Sequence, residues 1–352
     1  MIIFDEVQKQ PLARQAIKHL VKDRRYDYIE TGSLISIRKN VKDIVIPSEE
    51  TRVTLNPMDY EEFKWALGDT VTVPLMRQAF EHKMSLTDPV NRRLMRDFRL
   101  YMLIGGMPQA VEEYLASNNL SRVDAVKREI LELYHADFKK IDPTGRASMM
   151  FDAIPGQLAG NAMRYQVSSV DDKSRAGQVL ELIAEMVDSG IVKIAYHAND
   201  PSVGFAMHKD LDVFKLYLCD TGLFVTLSFW DKSFTDNMLY QKLLNDKLSA
   251  DLGYVYENVV AQMLVAEGNE LYYYTFQSQT SHHKHEIDFL LSRDSKICPI
   301  EVKSSNYKRH ASFDEFCKKF SSRILHKYLI YTKDLRKEQD VLYLPTYMVQ
   351  FL

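Results

Sequence analysis

Apolar and polar positions alternate with different periods along the chain, and each period predicts an element. The run IIF at 2–4, ending in Asp5 and Glu6, reads as a buried strand. Pro11 suits the first turn of a helix in which Leu12, Ala16, Ile17 and Leu20 recur at helical spacing, and Tyr26–Glu30 predicts a second strand ending in Thr31-Gly32-Ser33. Strand, helix and strand make a βαβ unit, and open α/β sheets bind ligands at the carboxyl ends of such strands. Ile35, Ile37, Ile44 and Ile46 continue as an irregular, strand-containing connection. Asn56-Pro57 predicts an N-cap and first-turn proline for the helix MDYEEFKWALG, closed by Gly68. Further helices are expected over roughly 73–83, 88–103, 108–116 and 121–139, with Gly105-Gly106 breaking the series before Pro108.

From about 146 the character changes. ASMMFDAIPGQLAG and SRAGQVLELIAEMVDSG read as amphipathic helices, and Ile191–Tyr196 and Phe214–Cys219 flank a polar loop with Pro201 and Gly204. Helices followed by a hairpin predict a winged helix. Its candidate recognition helix carries Glu181, Glu185 and Asp188 against Arg175, and an acidic face repels phosphates, so a structural or protein-docking wing is expected. From about 237 the pattern predicts a helix, GYVYENVVAQMLVAEGNE, with an apolar stripe of Val255, Val259, Val260, Met263 and Leu264, ended by Gly268. Strands follow at Tyr272–Phe276, Ile287–Leu291 and Ile297–Val302, the last two joined by a polar turn at Ser292–Lys296. A helix over 311–323 and strands at Lys327–Tyr331 and Val341–Tyr343 complete an expected α/β/α core. The expected boundaries are 1–56, 57–145, 146–236 and 237–352.

Composition narrows the functional classes. With 46% hydrophobic and 26% charged residues, the 352-residue chain has the make-up of a globular protein of two or three domains. A formal net charge of −3 provides no global field for nucleic acid, so such binding needs a local patch. Residues 303–327 supply one: Lys303, Lys308, Arg309, Lys318, Lys319, Arg323 and Lys327 against Asp314 and Glu315. The same charges also suit a solvated helix face. Cys219, Cys298 and Cys317 are widely spaced with no C-x-x-C pair, which points away from structural zinc and toward reduced thiols in a cytoplasmic protein. No apolar run reaches the ~18–20 residues a bilayer span needs, and no signal peptide is visible.

Candidate chemistry concentrates in HEIDFLLSRDSKICPIEVKSS. Residues two apart on a strand share a face, so Glu301 and Lys303 point together, with Asp288 on the neighbouring strand. Two carboxylates and an ammonium make a candidate Mg²⁺ site, while solvated strand-end charges would have the same spacing. His282-His283-Lys284-His285 offers imidazoles, read more simply as a loop with adventitious metal affinity. Tyr272–Tyr274 offers rings for base stacking, although alternating strand aromatics are more often core.

IIFDEVQ resembles the Walker B strand of AAA-type ATPases, and TGS at 31–33 resembles their sensor strand end. PMDYEEF and LIGGMPQAVEEYL resemble segments of a bacterial and archaeal family of these ATPases that carries a C-terminal domain of unknown function, the 57–145 block standing as a helical lid. The resemblance implies that Asp5 holds the Mg²⁺ shell, Glu6 polarises the attacking water, and Thr31 and Ser33 read the γ-phosphate. Arg52 or Arg38 would be the interface arginine. No G-x-x-x-x-G-K-[ST] loop occurs in the sequence, so ATP binding is expected only with a missing N-terminal segment, through truncation or through loss of the loop. An unpaired strand at Met1–Asp5 would also offer an edge for self-association or for another protein.

Glu257, Asp288 and Glu301-Val302-Lys303, in that order within 237–352, resemble the PD-(D/E)XK nuclease superfamily. The resemblance implies a restriction-endonuclease-like fold in which Asp288 and Glu301 hold Mg²⁺, Lys303 orients or activates water, and Glu257 supports the metal or the water. Ile287 stands where those nucleases carry proline. The expected whole is a multidomain α/β protein: partial P-loop AAA sheet, helical lid, winged helix and nuclease-like domain. Its expected function is that of the C-terminal portion of an AAA-type ATPase fused to a nuclease-like domain. The alternatives are a Mg²⁺-dependent DNA endonuclease and a non-catalytic protein- or DNA-docking module.

Overall fold

The computed structural model describes residues 1–5, 7, 11–32, 51, 53–169, 176–244, 252–278 and 283–352. Glu6, Ser33, Arg38, Arg52, Arg175 and His282 lie outside the described residues. At the amino terminus β1 (Ile2–Phe4) and β2 (Tyr28–Glu30) pair in parallel, Ile3 opposite Ile29, with the Pro11–Asp23 helix as the crossover that parallel strands require.

The helices Tyr60–Ala66, Thr72–His82, Asp88–Ile104, Pro108–Ser117 and Leu120–Ile141 follow. The first is capped by Asp59, not Asn56. Asp59 accepts from the Glu62 amide at 2.8 Å, and the Glu62 carboxylate accepts from the Asp59 amide at 3.0 Å, a capping box that satisfies two amides at once. Asn56 instead accepts from the Lys193 ammonium at 3.0 Å.

Gly105-Gly106 does more than break a helix. Gly105 has φ +85°, and a Cβ there would lie 2.2 Å from Asp220 Oδ1; one on Gly106 would lie 2.0 Å from the Met58 carbonyl. The space is taken because Asp220 accepts from the Gly106 amide at 2.5 Å while capping the Thr221–Leu227 helix through the Leu223 amide at 2.8 Å. The buried Lys127 ammonium stitches the same junction, donating to the carbonyls of Leu103 at 2.6 Å and Gly222 at 3.1 Å and to the Tyr240 hydroxyl at 2.7 Å.

The main sheet is built from β3 (Val192–Ala198), β4 (Lys209–Leu218), β5 (Leu271–Gln277), β6 (Lys284–Arg293), β7 (Lys296–Val302), β8 (Lys327–Tyr331), β9 (Arg336–Glu338) and β10 (Val341–Pro345), in the order β4-β3-β5-β6-β7-β8-β10-β9. The pairs β3–β5, β7–β8 and β8–β10 are parallel and the others antiparallel, so the sheet is mixed. This order corrects two expectations. The hairpin β3–β4 is not a free wing: β3 pairs with β5, Ala195 opposite Leu271, and extends the sheet across the boundary expected at 236. The segments expected as lid, winged helix and C-terminal domain also share one hydrophobic core, with Tyr60, Phe98, Phe151, Leu216, Val259 and Val349 among its members.

The reason lies in the Gly253–Ala266 helix. Beyond the expected stripe, Tyr256, Asn258, Ala261 and Gln262 are also buried, and a helix apolar on most sides must be covered on most sides. One side meets the sheet. On another, Asn258 accepts from the Leu218 amide at 2.9 Å and Gln262 accepts from the Thr221 amide at 2.8 Å, fixing the end of β4 and the helix after it. The Ala311–Lys319 helix covers the opposite face through Phe313, Phe316 and Cys317, packed with Ile287, Leu290 and Ile297. No helix of the described residues is long and apolar enough to cross a membrane.

Candidate metal centre

β6 and β7 form a hairpin whose last pair, Arg293–Lys296, leaves a two-residue turn with Asp294 at φ +52°, a conformation aspartate tolerates well. At the other end of the ladder Phe289 faces Ile300, so Asp288 and Glu301 lie one residue further along their strands. The pairing of β6 with β5 shifts here: Tyr272 faces Leu290 but Tyr274 faces Ile287, so two residues of β6, Asp288 and Phe289, oppose Tyr273. A bulge of this kind re-aims side chains and is frequent beside active sites.

Glu286 and Asp288, two apart on β6, meet Glu257 from the Gly253–Ala266 helix. One carboxylate oxygen of each lies within 4.8 Å of the others, and all three residues are partly open to solvent. Lys215 on β4 reaches over the Tyr273 ring, its ammonium 3.1 Å from Glu257 Oε1 and 2.5 Å from Glu286 Oε1. The Tyr217 hydroxyl also donates to Glu257 Oε1. The Val302 amide donates to Asp288 Oδ2 at 2.7 Å, and the Lys303 ammonium donates to Glu301 Oε1 at 2.6 Å.

Burial, with neighbouring carboxylates in support, pushes these acids upward: Asp288 to about 6, Glu286 to about 7 and Glu301 to about 8. Burial opposes the charge on Lys303, but Glu301 and Asp288 outweigh it and hold the ammonium above its ordinary range; Glu257 and Glu286 do the same for Lys215.

The residues fit a hard divalent cation. Glu286 Oε2 and Glu301 Oε2 are buried with no hydrogen-bond partner among the described residues, and an orphaned buried carboxylate oxygen is costly. The donors are oxygens clustered at net negative charge, the set that Mg²⁺ and Mn²⁺ favour.

The structure thus brings Glu257 and Asp288 together and places Lys303 on Glu301. Glu301 stands beside the group of three rather than within it. Glu286, Lys215 and Tyr217 are absent from the sequence reading. Glu286 carries a local signal, its spacing of two from Asp288; Lys215 and Tyr217 carry none, because only the sheet order brings β4 to this place. At the amino terminus Thr31 donates its hydroxyl proton to Asp5 Oδ1, so these two sit side by side at the carboxyl ends of β1 and β2. Their companions Glu6 and Ser33 lie outside the described residues.

Other candidates are otherwise engaged. His285 pairs with Glu315 at 3.2 Å. Tyr273 and Tyr272 pack in the cores, and Tyr274 stacks on His197. In the basic stretch Lys303, Arg323 and Lys327 pair with Glu301, Asp200 and Asp340, while Lys308, Arg309, Lys318 and Lys319 are exposed.

Residues 1–64 match a family model described as an AAA domain. Residues 95–233 match a domain of unknown function (DUF8612), a segment that runs across the boundary expected at 145, and residues 252–347 match another (DUF4143). No curated protein and no solved structure matches the chain. Through its first and last segments the chain is similar to an AAA-type ATPase-like family whose C-terminal domain has no stated function.

Proposed function

We propose that the C-terminal part of this ATPase-like chain is a divalent-cation-dependent nuclease that hydrolyses phosphodiester bonds in DNA. The observation that carries the reading is the convergence of Glu257, Glu286 and Asp288 within 4.8 Å, beside Lys303 held on Glu301. The order of elements adds support: helix, the meander β5–β6–β7, helix, then β8 parallel to β7 is the arrangement the PD-(D/E)XK resemblance implies.

Glu257, Glu286 and Asp288 would hold the ion, which supplies a lowered pKa for bound water and charge compensation at the phosphorus. The Val302 amide fixes the orientation of Asp288. Lys303, kept as an ammonium, donates toward phosphate oxygens and does not accept a proton. Proton acceptance falls to Glu301, which stands beside the three ligands with its Oε2 unpartnered among the described residues. The exposed Lys308, Arg309, Lys318 and Lys319 attract the phosphate backbone.

Supercoiled, branched and single-stranded DNA incubated with the full chain and Mg²⁺ or Mn²⁺ tests this. Wild type is expected to cut, with Asp288→Asn and Lys303→Met slower by roughly 100-fold. Equal cleavage by all three, or no cation-dependent cleavage by wild type, overturns the nuclease reading.

The adjacency of Asp5 and Thr31 favours a second, separate reading of the amino terminus as the nucleotide-facing edge of an ATPase-like module. That reading assigns ATP handling only where a phosphate-binding loop is supplied, since this sequence contains none.

A further inference from the structure

The acidic centre contains a cation of its own. Lys215 comes from β4, outside the helix and meander that carry the carboxylates, and its side chain is only 5% exposed. Its ammonium bridges Glu257 Oε1 and Glu286 Oε1, and Glu257 Oε1 also receives the Tyr217 hydroxyl. The two glutamates thus spend one oxygen each on a fixed positive charge. Asp288, the partnerless Glu286 Oε2 and the partnerless Glu301 Oε2 lie on the other side of the charge balance.

Counting Glu257, Glu286, Asp288 and Glu301 against Lys215 and Lys303 leaves a formal charge of −2, which one divalent ion neutralises. Two-metal centres place their ions roughly 3.5–4 Å apart, bridged by shared carboxylates. Here an ammonium already bridges two of those carboxylates.

We propose that Lys215 occupies the place of a second metal ion, so that the centre takes a single divalent cation. This rests on the cation-site reading above and goes beyond it in assigning the stoichiometry and the residue that sets it. It also gives the hairpin β3–β4 a role: the segment matching DUF8612 supplies a fixed positive charge to carboxylates lying in the segment matching DUF4143. Lys215 is a positioning residue, acting through Glu257 and Glu286.

Equilibrium dialysis and electron paramagnetic resonance with Mn²⁺ on the full chain test it. Wild type is expected to bind one Mn²⁺ with the signal of an isolated ion. Lys215→Met frees Glu257 and Glu286 and is expected to bind two, with the exchange-coupled spectrum of neighbouring ions, a signature that a merely structural change would not create. Lys215→Arg keeps the charge and is expected to bind one. Two Mn²⁺ on wild type, or one on Lys215→Met, overturns this inference and leaves the cation site standing. No Mn²⁺ on wild type overturns both. Should Lys215→Met fail to fold, Lys215→Gln removes the same charge and carries the same expectation of two Mn²⁺, one again overturning the inference.

Discussion

Glu286, Asp288 and Glu301 are carboxyls raised by burial into the range from about 6 to about 8. A carboxyl whose folded pKa lies above its unfolded value of roughly 4 adds stability at low pH, and that contribution is lost as pH rises from the unfolded to the folded pKa. The centre therefore destabilises the protein most above about pH 8, where all three become ionised, and a bound cation relieves the repulsion most there. Melting curves with and without saturating Mg²⁺ are expected to show a stabilisation of several degrees at pH 8 and almost none at pH 5.5. Asp288→Asn is expected to shrink the difference, and an effect larger at pH 5.5 would contradict the cation site. Much of this was legible residue by residue: Glu301 and Lys303 share a face because strands have a period of two. Glu286 escapes the pattern because the apolar run begins only at Ile287, whereas β6 begins at Lys284.

At the scale of elements, helix periods were readable because each has a strong apolar repeat, and the observed Asp88–Ile104 and Pro108–Ser117 fall within one residue of expectation at each end. What the helices meet was not readable. Gly105-Gly106 looks locally like punctuation, yet it is a docking point where Asp220 and the Met58 carbonyl approach too closely for any Cβ. Gly106→Ala is expected to cost roughly 3 kcal/mol, as overpacking against backbone that cannot retreat. Chemical denaturation measures it, and a loss under about 0.5 kcal/mol, the range of ordinary surface changes, would show that the junction yields. The hairpin β3–β4 teaches the same lesson. Its two strands are visible in the sequence, but helices before a hairpin suggest a wing because a parallel partner 76 residues downstream, Leu271 opposite Ala195, leaves no local trace.

Across the whole molecule, one core joins residues from Tyr60 to Val349, and hydrogen bonds reinforce it from afar. Ser85 donates to Asp334 at 2.5 Å and the Tyr347 hydroxyl donates to Asn91 at 2.9 Å, tying early helices to the end of the chain. A fragment spanning 237–352 would strip β5 of its partner β3 and bare one side of the Gly253–Ala266 helix. It is expected to lack a cooperative thermal transition by circular dichroism, while a fragment spanning 53–352 keeps one. A cooperative 237–352 fragment would restore the boundary at 236.

The sequence by itself determined the elements, the face shared by Glu301 and Lys303, and the likeness of residues 1–64 to an AAA domain, because periodicity and short motifs are local properties of a chain. Only the tertiary structure decided that the hairpin β3–β4 extends the main sheet, that Glu286 joins Glu257 and Asp288, and that Lys215 stands among them. Strand order is set by which apolar faces can be covered together, and that choice is made between residues far apart in sequence.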